Sequence, residues 1–327
     1  MPLEPERRAE LQAIKLRALV AEAGHDLGQT QPESLGQGSA LILDNCCWLL
    51  ADTERPEISL GQGILLAASR SLNELHVLFD HPQAAAKAAR QAQGLKPTPT
   101  ISLITERTLA PATPGPVESA VTPPPCPDDF ANLCNGVGVE TVVEHGMWRG
   151  EILGLEVARL VDGITEVGVG RFDREAGALL HGDQPTSQAL AAAADQVRSQ
   201  RHPGAGAHPL ATLARERWLR HTLLADPTLV GLTTLVALDP ATERTNLRAP
   251  APAFAWGTNP DGQNVLVACS TGVDVNLVPQ TAELIVRHQP DLVIVVVPPR
   301  DQLPVVKKSV QLLAAPTNLA PLEGPWT

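Results

Sequence analysis

Asn259-Pro260-Asp261-Gly262-Gln263-Asn264-Val265-Leu266-Val267-Ala268-Cys269-Ser270 holds the clearest structural signal in the chain. An Asp-Gly pair between two apolar runs marks a hairpin, because tight turns of this kind need positive φ at their centre. The strand before the turn is Ala253-Phe254-Ala255-Trp256, and the strand after it runs over 265–270. Working outward, 278–287 reads as a helix and 292–297 as a wholly apolar strand, as at the centre of a covered sheet. Upstream, His208-Pro209 starts a helix over 210–224 with Leu213, Trp218, Leu219 and Leu223 on one side, and a strand over 232–237 follows.

The N-terminal hundred residues have the same grammar. Residues 5–23 form a predicted surface helix with Leu11, Ile14, Leu19 and Val20 as its apolar stripe. It docks on its own domain or serves as a dimer-forming arm. Strands over 39–50, 75–79 and 100–104 alternate with helices over 64–69 and 83–93, the pattern of an α/β layer with some parallel pairing. Gly61-Gln62-Gly63 lacks the third glycine of a dinucleotide fingerprint and the Lys-Ser/Thr of a phosphate loop. It reads as a tight turn at a helix start.

Seven prolines between Ala110 and Asp128 mark a linker. The expected organisation is an N-terminal α/β domain (1–109), the linker (110–128), a middle α/β segment (129–204) and a C-terminal mixed-sheet domain (205–327). In the middle segment, 137–145 and 165–173 read as strands and 187–200 as a helix. Periodicity does not decide 150–161.

Composition narrows the function. At 327 residues with 43% hydrophobic side chains, the chain buries sizeable cores. The net charge is −11, with 9 basic and 10 acidic residues in 205–327, so neither part has the basic excess of a strong nucleic-acid binder. Five cysteines, two of them adjacent at Cys46-Cys47, suit a reducing compartment better than a disulfide frame. Cys126 and Cys134 have no second pair to complete a zinc site. No run reaches the ~18 apolar residues of a membrane span, and a cytoplasmic location is expected.

Two groups of residues are candidates for chemistry. Glu144, Glu156, Glu166 and Asp173, with His181, are either ligands converging on Mg²⁺ or solvated charges on strand ends and a helix face. Around the C-terminal helix, Arg215, Glu216, Arg217 and Arg220 either contact an anion or solvate the helix. Trp256 either packs on the sheet or stacks a base.

The order of elements over 208–300 resembles the PD-(D/E)xK, or restriction-endonuclease-like, nuclease fold in its RecB-like branch. That family carries a glutamate on the leading helix, matched by Glu216. It then has Pro-Asp on the first hairpin strand, Glu-x-Lys on the second and Gln-x-x-x-Tyr on the next helix. Here these positions read Pro252-Ala253, Ala268-Cys269-Ser270 and Gln280-Thr281-Ala282-Glu283-Leu284. In such a site two carboxylates hold the metal that activates water, and the lysine orients it. Ala253, Ala268 and Ser270 supply none of these groups. The whole chain is more loosely similar to an uncharacterised family of actinobacterial proteins, which implies no activity.

The resemblance therefore implies an inactivated nuclease-like fold with no cofactor. Its expected role is non-catalytic: binding or scaffolding, with a protein partner, weak or no nucleic-acid binding, no membrane contact and possible homo-oligomers. Arg215, Glu216, Arg217, Arg220, Trp256 and Gln280 are its candidate binding residues. The alternative is a metal-dependent hydrolase or nuclease using the carboxylates of the middle segment with Mg²⁺.

Overall fold

The computed structural model describes residues 5–106, 108–117, 122–180, 184–204, 208–244 and 246–326. The protein is α/β, with three sheets among the described residues. It divides into two compact units. One comprises 1–118, 275–291 and 302–317; the other comprises 119–274, 292–301 and 318–327. Among the described residues no helix is long and apolar enough to cross a membrane.

The first unit opens with α1 (Pro5–Glu22) and a three-strand meander, β1 (Glu33–Leu35), β2 (Gly38–Leu43) and β3 (Cys46–Leu50). Then α2 (Ser59–Arg70), β4 (Glu74–Phe79), α3 (Pro82–Ala92), β5 (Thr100–Thr105) and β6 (Thr108–Pro111) follow. The sheet order is sequential, with β3, β4 and β5 parallel and the outer pairs antiparallel. The helix α1 buries Leu16, Leu19 and Val20 against Leu41, Trp48, Leu50 and Leu78. Those three positions form an i, i+3, i+4 set. Leu11 and Ile14, expected in the stripe, are instead exposed.

Gly61-Gln62-Gly63 lies inside α2 and is not a turn before it. A Cβ on Gly61 would fall 1.8 Å from the Val275 carbonyl oxygen, so close approach of two backbones explains this glycine. Two later segments complete the unit, α9 (Leu277–His288) and α10 (Pro304–Val310). Arg90 of α3 donates to Glu283 of α9 at 2.7 Å, with both side chains buried.

In the second unit α4 (Asp128–Gly136) precedes a four-strand antiparallel meander, β7 (Glu140–Glu144), β8 (Met147–Ile152), β9 (Leu155–Val161) and β10 (Ile164–Val167). Its three turns, His145-Gly146, Leu153-Gly154 and Asp162-Gly163, each place both residues at positive φ, the signature of two-residue type I′ hairpins. The Leu-Gly turn splits 150–161 into two strands, which is why neither period was readable across it. The strand expected over 165–173 stops at Val167. Gly168 and Gly170, both at positive φ, turn the chain into α5 (Gly170–Leu180).

Next come α6 (Thr186–Gln200), α7 (Pro209–Thr212) and α8 (Arg215–Ala225). The helix expected over 210–224 is thus two helices, broken where Ala214 takes a left-handed conformation and donates its N–H to the Leu247 carbonyl. The last sheet runs in order through β11 (Thr234–Leu238), β12 (Ala253–Thr258), β13 (Asn264–Cys269), β14 (Leu292–Val297) and β15 (Thr317–Pro321). β12 and β13 form the antiparallel hairpin around Asp261-Gly262, and β13 pairs parallel with β14. Trp218, Leu219 and Leu223 of α8 pack with Val265, Val267, Val296 and Trp326.

The first unit is discontinuous, so proteolysis within 112–127 should leave the fragments associated, because α9 and α10 belong with α3. We expect the nicked protein to co-elute as one species in size-exclusion chromatography. A folded N-terminal fragment eluting alone would contradict this architecture.

Candidate functional site

The strands of the meander are short and tightly turned, so their polar side chains are brought side by side. Glu144 ends β7, Arg149 and Glu151 lie on β8, and Glu156 lies on β9. The register sets Glu151 opposite Glu156, with a bulge between Gly150 and Glu151. Two carboxylates facing each other at a strand pair are unfavourable unless cations separate them. Arginines from three directions do so. Arg149 donates to Glu156 at 3.0 Å and lies 3.6 Å from Glu144. Arg174 of α5 donates to Glu156 at 2.7 Å and reaches Glu166 at 3.5 Å, where Arg159 also donates at 2.8 Å.

From α8, Arg217 donates to Glu144 at 2.6 Å and to Glu151 at 3.1 Å. Arg220 lies 3.9 Å from Glu151, and Arg244 of the loop before β12 pairs with Glu216. Glu243 of the same loop accepts from Arg149 at 3.2 Å. Gly154 makes the approach possible, since a Cβ there would meet the Arg217 carbonyl oxygen at 2.4 Å. Arg201, at the end of α6, donates to the carbonyls of Leu153, Leu210 and Leu213 and lies 5.0 Å over the Trp218 ring.

Burial sets the electrostatics. It would raise the Glu144 carboxyl, but Arg217, Arg149 and Arg220 outweigh it and hold the group below the usual carboxylate range. Burial also works against the Arg217 cation, yet Glu144 and Glu151 raise its pKa above the ordinary value. Arg201 has mainly backbone partners, and burial lowers it to about 10 against the pull of Glu216 and Glu151.

The structure brings three of the four candidate carboxylates into one network, Glu144–Arg149–Glu156–Arg174–Glu166. Asp173 is engaged elsewhere, accepting from the Val169 N–H at 2.7 Å. His181 lies outside the described residues. Arg217 and Arg220 are buried, so neither solvates the helix nor stands free for an anion, whereas Arg215 is half-buried. Glu216 is buried against Arg244, and Trp256 is half-buried on β12. Gln280 is buried on α9, which belongs to the first unit. Cys126 and Cys134 pack in the apolar cluster around Phe130. The missed participants are Arg149, Glu151, Arg174, Arg201, Glu243 and Arg244. None carries a local signal: Arg149 and Glu151 lie on a strand delimited only once the Leu153-Gly154 turn is placed, and Arg174, Arg201, Glu243 and Arg244 come from helices and a loop.

Ala253 lines a cavity of about 10 Å³ with Glu144, Arg217, Arg220 and Arg244. That is space for about one water. The cation at this position is a guanidinium, and a divalent ion placed among Arg149, Arg174 and Arg217 would meet three positive charges. Comparison with protein-family models, curated proteins and solved structures finds no match.

Removing one partner of a buried pair strands the other charge, at about 3–5 kcal/mol. We expect Arg217→Ala and Glu144→Gln each to lose stability of that order in urea denaturation, and the double variant to lose less than the sum. The Glu144 carboxyl is depressed in the folded state. Its contribution is therefore present above its unfolded value near roughly 4.3 and is lost as pH falls through the lower folded value. Glu144→Gln should show a shallower loss of stability on acidification than the wild type; equal slopes would remove Glu144 from this role.

Proposed function

We propose that the chain is a non-catalytic binding or scaffolding protein, built on a frame like that of the restriction-endonuclease-like nucleases, with another protein as its partner. The observation that carries this reading is the ion-pair network. Glu144, Glu156 and Glu166 each accept from or face a guanidinium within 3.6 Å, so none is left to activate water or hold a catalytic cation. At the positions where the nuclease pattern needs metal ligands stand Ala253 and Ala268, both buried.

The same pairs argue against nucleic acid as the partner. Phosphate binding needs accessible cations, and Arg217 and Arg220 are enclosed while the chain carries −11. Exposed apolar side chains in the second unit support a protein partner. β10 is an edge strand of its sheet. Ile164 on it is 69% exposed, and Phe172 on the following helix is 81% exposed. An unpaired strand edge beside large apolar side chains suits an extended peptide segment adding to the sheet.

Two measurements test this. With Mg²⁺ or Mn²⁺ the purified protein should leave single- and double-stranded DNA and RNA intact; cleavage abolished by Glu216→Ala or Glu156→Gln would establish the hydrolase instead. A photo-crosslinking amino acid at position 172 should capture a discrete protein, and Phe172→Glu should weaken binding of that purified protein at least roughly 10-fold, as loss of a buried aromatic anchor does. Capture of nucleic acid, or unchanged affinity in Phe172→Glu, would reject the assignment.

A further inference from the structure

In the first unit, two parallel neighbours and the β alternation place three different metal-ligating groups together. β3 and β4 pair with Cys46 directly beside Glu74 and Trp48 beside His76. Side chains two apart on a strand share a face, so Glu74 and His76 project on the side that carries Cys46. A ligand atom from each of Cys46, Glu74 and His76 lies within 4.8 Å of the others. Cys46 and His76 are half-buried and Glu74 is exposed.

We propose that Cys46, Glu74 and His76 form a binding site for a zinc-type divalent transition metal, with water at the fourth position. A thiolate and an imidazole favour Zn²⁺ over Mg²⁺ or Ca²⁺, which take oxygen ligands. In tetrahedral Zn²⁺ sites the bond lengths put ligand atoms roughly 3.4–3.8 Å apart. The observed spread is within about 1 Å of that, a shift that side-chain rotation supplies.

The surroundings suit such a site. The His76 ring is stacked on Trp48 at 4.0 Å, which fixes its plane. His25, the other titratable ring here, meets the edge of Trp48 at 4.9 Å. Glu74 is exposed and Cys46 and His76 are only half-buried, so an ion can reach the three groups from solvent. Binding a metal would displace the Cys46 thiol proton to solvent, so affinity should rise with pH. None of this draws on the second unit or on the binding role proposed for it.

Titration of the tag-free, reduced full chain with Co²⁺ reads the thiolate directly through its charge-transfer absorption. We expect the band to saturate at one ion per chain and to be displaced by Zn²⁺. Cys46→Ser should abolish it. His76→Ala, which removes a direct ligand, should weaken binding by at least about 10-fold, and Glu74→Gln, an exposed conservative change, should weaken it without loss of fold. Cys126→Ser should leave the band unchanged. Absence of the band at millimolar Co²⁺, its persistence in Cys46→Ser, or its loss in Cys126→Ser would each overturn the proposal.

Discussion

The guanidinium of Arg217 is held between Glu144 and Glu151, and much of the second unit depends on that contact. Taking one cation and two carboxylates out of water carries a desolvation cost of several kcal/mol per ion. The cost is offset only if the three groups meet at hydrogen-bonding distance. Glu144 must therefore end its strand beside the turn, Glu151 must face the helix through the β-bulge, and Gly154 must let that helix approach. A one-residue slip of either hairpin would turn the carboxylates to the opposite face and leave Arg217 buried without partners. The pairs thus select register more than they add stability, because an apolar cluster of the same volume would cost less to bury.

Fold class and most elements were legible in the sequence. Alternating apolar runs and the Asp261-Gly262 turn marked the last sheet, and the strand–helix repeats marked the first. Local chemistry hid what lay between. Leu153-Gly154 is a tight turn without the usual Asn or Asp, so two strands looked like one ambiguous segment. Ala214 in a left-handed conformation is invisible to periodicity, and an apparently continuous helix was two. In α1 the buried set Leu16, Leu19 and Val20 competed with the equally apolar Leu11 and Ile14, and only the facing sheet decides between them.

The candidate site was legible as a list of acids and not as a constellation. Glu144, Glu156 and Glu166 do converge, but the sequence gives no sign that Arg149 and Arg174 stand among them. Their spacings follow from strand register and from a helix that begins after Gly170, neither of which is a local property. The same holds for Cys46 beside Glu74. Twenty-eight residues separate them, and only the parallel pairing of β3 with β4 makes them neighbours.

The discontinuity of the first unit also sets an order of events during synthesis. At about 5–20 residues per second, the stretch from 118 to 275 takes on the order of ten seconds to emerge after α3 has been made. Throughout that interval Arg90 has no Glu283, and the small-residue face of α3 has no α9 to cover it. The first unit thus stays incomplete until 275–317 have been made, and for that interval the surface that α9 and α10 later cover is open to solvent.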